Sequence, residues 1–130
     1  MTVISTIYAR RNIKAMKSLS SCFNKDINKI KINTNNSFVH ELTKFIVAYK
    51  LINAEHDVIT EAIFKNRKRA DVFDLTNNII YEILNTERES NIELKQKLYP
   101  APIVALHCRD LNFVGSTNSL LNSFEKEIEL

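Results

Sequence analysis

The chain has 130 residues, 45% apolar and 25% charged, which is the size and balance of one domain with its own core. Its single glycine, Gly115, excludes the glycine-rich phosphate cradles of P-loop and dinucleotide-binding enzymes; Cys22 and Cys108, with no Cys-x-x-Cys pair, give neither a disulfide framework nor a cysteine zinc site. No apolar run approaches a membrane span, and Arg10, Arg11, Lys14 and Lys17 break up the apolar residues a secretory signal needs, so a soluble, cytoplasmic protein with no membrane partner is expected.

Charge is unevenly placed. Residues 1–36 hold seven basic groups (Arg10, Arg11, Lys14, Lys17, Lys25, Lys29 and Lys31) against Asp26, a net of +6; the whole chain carries +3, leaving −3 for the rest. A basic arm of this kind meets something anionic, nucleic acid first and an anionic membrane surface second, although a solvated basic face accounts for the same numbers.

In chain order, residues 5–23 read as a helix with Ile13, Met16, Leu19 and Phe23 at helical spacing. Residues 24–36, rich in Asn and Lys, read as a short strand or an extended connector. From Ser37, which can serve as a cap, Phe38, Leu42, Phe45, Ile46 and Tyr49 predict a helix to about Asn53 with this stripe facing the core and Glu41 on or beside it. Residues 57–65 predict a strand, followed by the basic turn Asn66, Arg67, Lys68 and Arg69. Residues 69–75 and 79–85, rich in Val, Ile, Phe and Tyr, predict two strands of a hairpin around Asn77 and Asn78. Residues 87–98 predict a helix with Leu94 and Leu98 on one face, stopped by Pro100 and Pro102. Ile103 to His107 predicts a strand buried on both faces, and Leu120, Leu121, Phe124 and Ile128 predict a last amphipathic helix. Helix, three strands, helix, strand, helix is the order of an α/β domain with a mixed sheet covered by helices.

The hairpin carries one acid on each strand, Asp71 and Glu82. Alternation puts Asp71 on the face of Phe73 and Leu75 and Glu82 on the face of Ile80 and Leu84, and a register that joins those faces brings the carboxylates together. Two carboxylates in apolar surroundings call for a cation.

The order of elements and the placement of acids resemble the PD-(D/E)XK, or restriction-endonuclease-like, nuclease superfamily, which includes Holliday-junction resolvases. The resemblance covers roughly residues 37–108 and leaves residues 1–36 as a basic N-terminal extension to a core over 37–130 in one domain. It implies a divalent-metal-dependent endonuclease acting on DNA, branched DNA included, with Mg2+ or Mn2+ held by Asp71, Glu82 and the Ile83 carbonyl, and Glu41 orienting a water or completing a second metal position. The family lysine falls at position 84, where this chain has Leu84; some relatives supply the amine from the following helix, which assigns Lys95 here. Arg10, Arg11, Lys14, Lys17, Arg67, Lys68 and Arg69 would contact DNA phosphates. Junction-cutting relatives are dimers, which makes a homodimer the implied assembly.

Each acid also has an ordinary explanation: Asp71 paired with Arg69 or Lys68, Glu82 facing solvent on an edge strand, Glu41 at the boundary. Glu61 is the substitute third acid. His40, His56 and His107 have no mutual ligand spacing and are assigned no metal, and Tyr81 and Tyr99 read as core or boundary aromatics. Two alternatives to a nuclease remain: a catalytically degenerate relative that binds nucleic acid or protein, and an interaction module whose N-terminal helix binds a partner or another copy.

Overall fold

Ser37 starts the longest helix as expected. In the computed structural model, which describes residues 11–21, 24–84 and 89–108, the Ser37 hydroxyl accepts the His40 N–H at 3.1 Å and caps a helix over Phe38–Asn53. Ser37→Ala should therefore cost about 1 kcal/mol in a denaturant titration. Before it stands α1, Ile13–Ser18, capped by Asn12, so the Phe38–Asn53 helix is α2. The helix expected over 5–23 is thus cut to six residues within the described part. Leu19 is extended (φ −77°, ψ 143°) and bridges Phe64, while Ser20 N–H donates to the Ile63 carbonyl and Lys65 N–H to the Ser18 carbonyl, each at 2.9 Å. Backbone pairing with a distant strand has outcompeted continuation of the helix; Phe23 lies outside the described residues.

After a 3-10 turn at Asn24–Asp26, the chain is an extended connector rather than a strand. It is fastened to the sheet chiefly through side chains: Asn28 Oδ1 accepts the Val58 N–H at 2.9 Å, and the Thr60 hydroxyl accepts the Lys31 N–H at 2.8 Å while donating to the Lys29 carbonyl.

The strands are β1 (Val58–Ile63), β2 (Arg69–Asp74), β3 (Ile79–Leu84) and β4 (Ile103–His107), and α3 (Glu89–Leu98) links the last two. They form one four-stranded sheet in the order β1-β2-β3-β4, with β1, β2 and β3 antiparallel and β4 parallel to β3. The architecture is α/β with an open mixed sheet and helices, as expected. At the hairpin turn Asn78 takes the positive φ that its residue type tolerates (57°), and Asp74 Oδ1 accepts the N–H groups of Thr76 and Asn77. Neither Leu94 nor Leu98 is buried. Nor is β4 buried on both faces: among the described residues it is an edge strand paired only to β3, and Val104 is exposed. The expected C-terminal helix lies outside the described residues.

Two apolar clusters sandwich the sheet. One gathers Ala15 and Leu19 with Ile59, Phe73, Leu75, Ile80 and Ala101; the other gathers Val47 and Ala48 of α2 with Val58, Val72, Ile83 and Cys108. The second shows that α2 is turned opposite to expectation. Its buried face carries His40, Thr43, Lys44, Val47 and Ala48, whereas Phe38, Phe45 and Tyr49 of the predicted core stripe are exposed. The sheet beneath α2 offers carboxylates as well as apolar surface, and the face that satisfies them goes inward.

Candidate functional site: an acid cluster beneath a helix

The hairpin register builds the site. Val72 pairs with Tyr81 and Phe73 with Ile80, so one position further along Asp71 stands across from Glu82. On the other side Thr60 pairs with Val72 and Ala62 with Ala70, which sets Glu61 across from Asp71. Three acids on three neighbouring strands thus fall in one row. The paired positions of β2 and β3 end at Val72 and Tyr81, and the Ile83 N–H donates to Asp71 Oδ2 at 2.8 Å.

Strict alternation breaks at this row. Ile59 and Ala62, three residues apart, join the same cluster, as do Ala70 and Phe73. Glu61 between the first pair has φ of 51°, a left-handed conformation that is costly for a residue with a Cβ. The expected faces are corrected accordingly: Phe73 and Leu75 pack in one cluster, but the Asp71 carboxylate meets His40 of α2, which packs over the other.

Helical spacing brings His40, Glu41 and Lys44 down onto the row. Lys44 is fully buried, and its ammonium pairs with Glu41 Oε2 and, at 3.2 Å, with Glu61 Oε1. Glu41 also accepts the Asn33 N–H at 3.1 Å and the Asn36 amide at 2.8 Å and lies 3.1 Å from His40 Nδ1. Burial works to raise its carboxyl, but the hydrogen bonds from Lys44, Asn36 and the Asn33 backbone overcome that and hold it at about 2. His40 Nε2 lies 3.5 Å from Asp71 Oδ2, and this hydrogen bond, working against burial, raises the imidazole above its ordinary value.

Glu82 is the odd member. It is only 4% exposed, its Oε1 has no hydrogen-bond partner among the described residues, and Oε2 faces Lys95 Nζ of α3 at 3.7 Å. Burial first, then the charge of Asp71, pushes its carboxyl up to about 8 against the opposing pull of Lys95. The ordinary explanations for Asp71 and Glu82 do not describe what is seen, whereas Glu41 does lie at the boundary. Glu82 is on an inner strand and buried, and Asp71 meets His40 and a backbone N–H.

The structure therefore brings Glu41, Glu61, Asp71, Glu82 and Lys95 around one row and adds Lys44 and His40, neither of which the sequence reading selected for a site. The signal for them was the spacing of His40, Thr43, Lys44 and Val47, a second helical stripe opposite the apolar one.

Of the expected phosphate contacts, Lys14, Lys17, Arg67, Lys68 and Arg69 are exposed, and Arg10 lies outside the described residues. Arg11 is not presented to solvent: its Nε donates to Asp57 Oδ2 at 3.0 Å with the side chain 11% exposed. The pairing of Leu19 with Phe64 sets the end of α1 beside the β1–β2 turn, which gathers Lys17 with Lys65, Arg67, Lys68 and Arg69. Arg69 is two residues from Asp71, about 7 Å along the strand.

His56 Nδ1 meets buried Asp74 at 2.9 Å, away from the row, and His107 closes β4. No group of three or more His, Cys, Asp or Glu among the described residues is arranged to hold a metal by itself, and no described helix is long and apolar enough to cross a membrane. Comparison with protein families, curated proteins and solved structures finds no match.

Proposed function

We propose that the chain is a divalent-cation-dependent nuclease of restriction-endonuclease-like fold, with Asp71 and Glu82 holding Mg2+ or Mn2+ and DNA as the substrate. The observation that carries this reading is that Asp71 and Glu82 face one another one position beyond the paired part of the hairpin, one oxygen of Glu82 being buried without a hydrogen-bond partner among the described residues. Two carboxylates fit a hard cation that keeps several waters and takes few protein ligands. Bound there, the ion supplies Lewis-acid stabilisation of charge on the phosphoryl oxygens.

The protein's own groups do the rest. The Ile83 N–H fixes the Asp71 carboxylate, and Lys95 from α3 places an ammonium at Glu82 in the role left vacant by Leu84. The basic turn holds the backbone of the nucleic acid without reading its sequence. Arg67→Ala and Lys68→Ala should each lower the slope of log binding constant against log salt by about 1, with little change in stability.

A second reading is favoured by one feature. Glu41 is fully engaged by Lys44, Asn33 and Asn36, which leaves it no free role toward a water and suits a non-catalytic binding protein of the same fold.

The deciding experiment is cleavage of labelled duplex, single-stranded and four-way-junction DNA with Mg2+ or Mn2+, beside binding in chelator. Metal-dependent cutting abolished by Asp71→Ala and by Glu82→Ala in folded protein supports the nuclease. Salt-sensitive binding without cutting supports the second reading, and the loss of both defeats each.

A further inference from the structure

We infer that the outward face of α3, which carries Leu94 and Leu98 beside the basic β1–β2 turn, is a contact surface for unpaired bases, so that the DNA taken by this chain is single-stranded or has bases out of the stack. The inference rests on the nucleic-acid half of the proposed function and not on cleavage. Leu94 and Leu98 are 60% and 51% exposed. Four residues apart on α3, they share one face, with Cβ atoms about 5–6 Å apart. The fold fastens this face to the turn. The Asn66 side-chain amide donates to the Leu98 carbonyl at 2.6 Å and the Tyr99 hydroxyl donates to the Arg69 carbonyl at 2.8 Å. The Tyr99 ring lies against Phe64, at the start of the turn, with centroids 5.9 Å apart. Exposed Arg67, Lys68 and Arg69 on the turn and exposed Lys97 on the helix therefore flank two exposed leucines.

Charge and the size of the apolar part select the occupant. Against those four cations the described side chains of α3 offer one exposed acid, Glu93, so the partner is anionic. A second copy seated here about a two-fold axis would set the same cations against one another, and two leucines fall far short of the roughly 800 Å2 per partner of a stable interface. A membrane surface asks for a long apolar stripe, whereas this one is two residues long with exposed Asn91 before Leu94 on the same face. A continuous duplex turns its phosphates and sugars outward and keeps its base faces stacked, which leaves the leucines nothing apolar to cover. An unpaired strand offers phosphates to the turn and base faces to the leucines at once. Location agrees. Lys95, next to Leu94 on α3, meets Glu82 at 3.7 Å, and Arg69 is two residues from Asp71, so a strand held on this face runs beside the acid pair.

The chain has no tryptophan, so Leu94→Trp gives the full-length protein a single reporter on this face. Titrations in chelator, which prevents metal-dependent cleavage, compare an oligothymidylate of about 16 nucleotides with a duplex of the same length. The expected result is quenching of the indole by the oligothymidylate and not by the duplex, with the single strand bound about tenfold tighter at the same salt. With Leu94 intact, Leu98→Gln should weaken single-strand binding about fivefold, read by anisotropy of the labelled strand, with the salt slope and the circular dichroism spectrum unchanged. Should that chain not fold, Leu94→Gln serves instead. Equal, salt-sensitive binding of both forms, or single-strand binding indifferent to the leucine change, would overturn the inference and leave the proposed function standing. No binding of either form would overturn both. A blue shift of the indole on phosphatidylserine vesicles, without quenching by the oligothymidylate, would overturn the inference in favour of a membrane surface.

Discussion

Glu82→Gln is expected to make the protein more stable than the wild type at high pH and to leave it little changed in mild acid. The carboxyl titrates near 8 in the fold against an ordinary value of 4.5. Between those two points the folded state keeps a proton that the unfolded chain has released, so wild-type stability falls as pH rises through that window and levels off above about 8. At about 1.4 kcal/mol per unit, the shift corresponds to roughly 5 kcal/mol at most. Glutamine keeps the shape and never ionises, which removes this residue's part of the slope and leaves the part due to His40, whose raised imidazole also loses stabilisation as pH rises. Denaturant titrations across the window give the measurement, and superimposable profiles for the two proteins would defeat the argument. Mg2+ or Mn2+ should lift the wild type above about pH 7 by stabilising the ionised carboxyl and should leave the glutamine variant unmoved. Glu41 acts on the other side: its carboxyl, held at about 2, contributes stability above about 4.5 that is lost as pH falls toward 2.

The hairpin and its acid pair were legible because they are local. Asn77 and Asn78 specify the turn, β-rich flanks specify the strands, and the turn fixes the register that sets Asp71 opposite Glu82. Lys95 was named only through the nuclease resemblance, and its ammonium does face Glu82 at 3.7 Å. The orientation of α2 was not legible, because the helix has two stripes at the same period and the apolar one is the ordinary choice for the core. What decides between them is the partner of Lys44, and Glu61 is on another element with a left-handed backbone that no local pattern announces. The short α1 has the same cause, since Leu19 is spent on Phe64. Arg11 read as a phosphate contact because Asp57, its partner, is just as remote in sequence.

Lys44→Met is expected to destabilise the protein by about 3–5 kcal/mol at neutral pH, because it leaves the Glu41 and Glu61 carboxylates facing one another with their shared cation removed. Lys44 has no exposed surface, so water cannot readily take its place. The same change should release the Glu41 carboxyl from about 2 toward its ordinary value and flatten the acid limb of the stability profile. Adding Glu41→Gln and Glu61→Gln to Lys44→Met removes the buried ammonium together with both carboxylates it pairs with and should recover most of the loss, since an apolar or neutral replacement of a whole buried ion group is often no less stable than the group itself. Chemical denaturation of the single and triple variants decides it, and a triple variant as unstable as the single one would mean that packing of the lysine stem, not its charge, holds α2 on the sheet. Recovery would carry a further consequence. An ion group of Lys44, Glu41 and Glu61 that can be neutralised without loss of stability is not maintained for stability, and its location beside Asp71 and Glu82 leaves the electrostatics of that row as its reason.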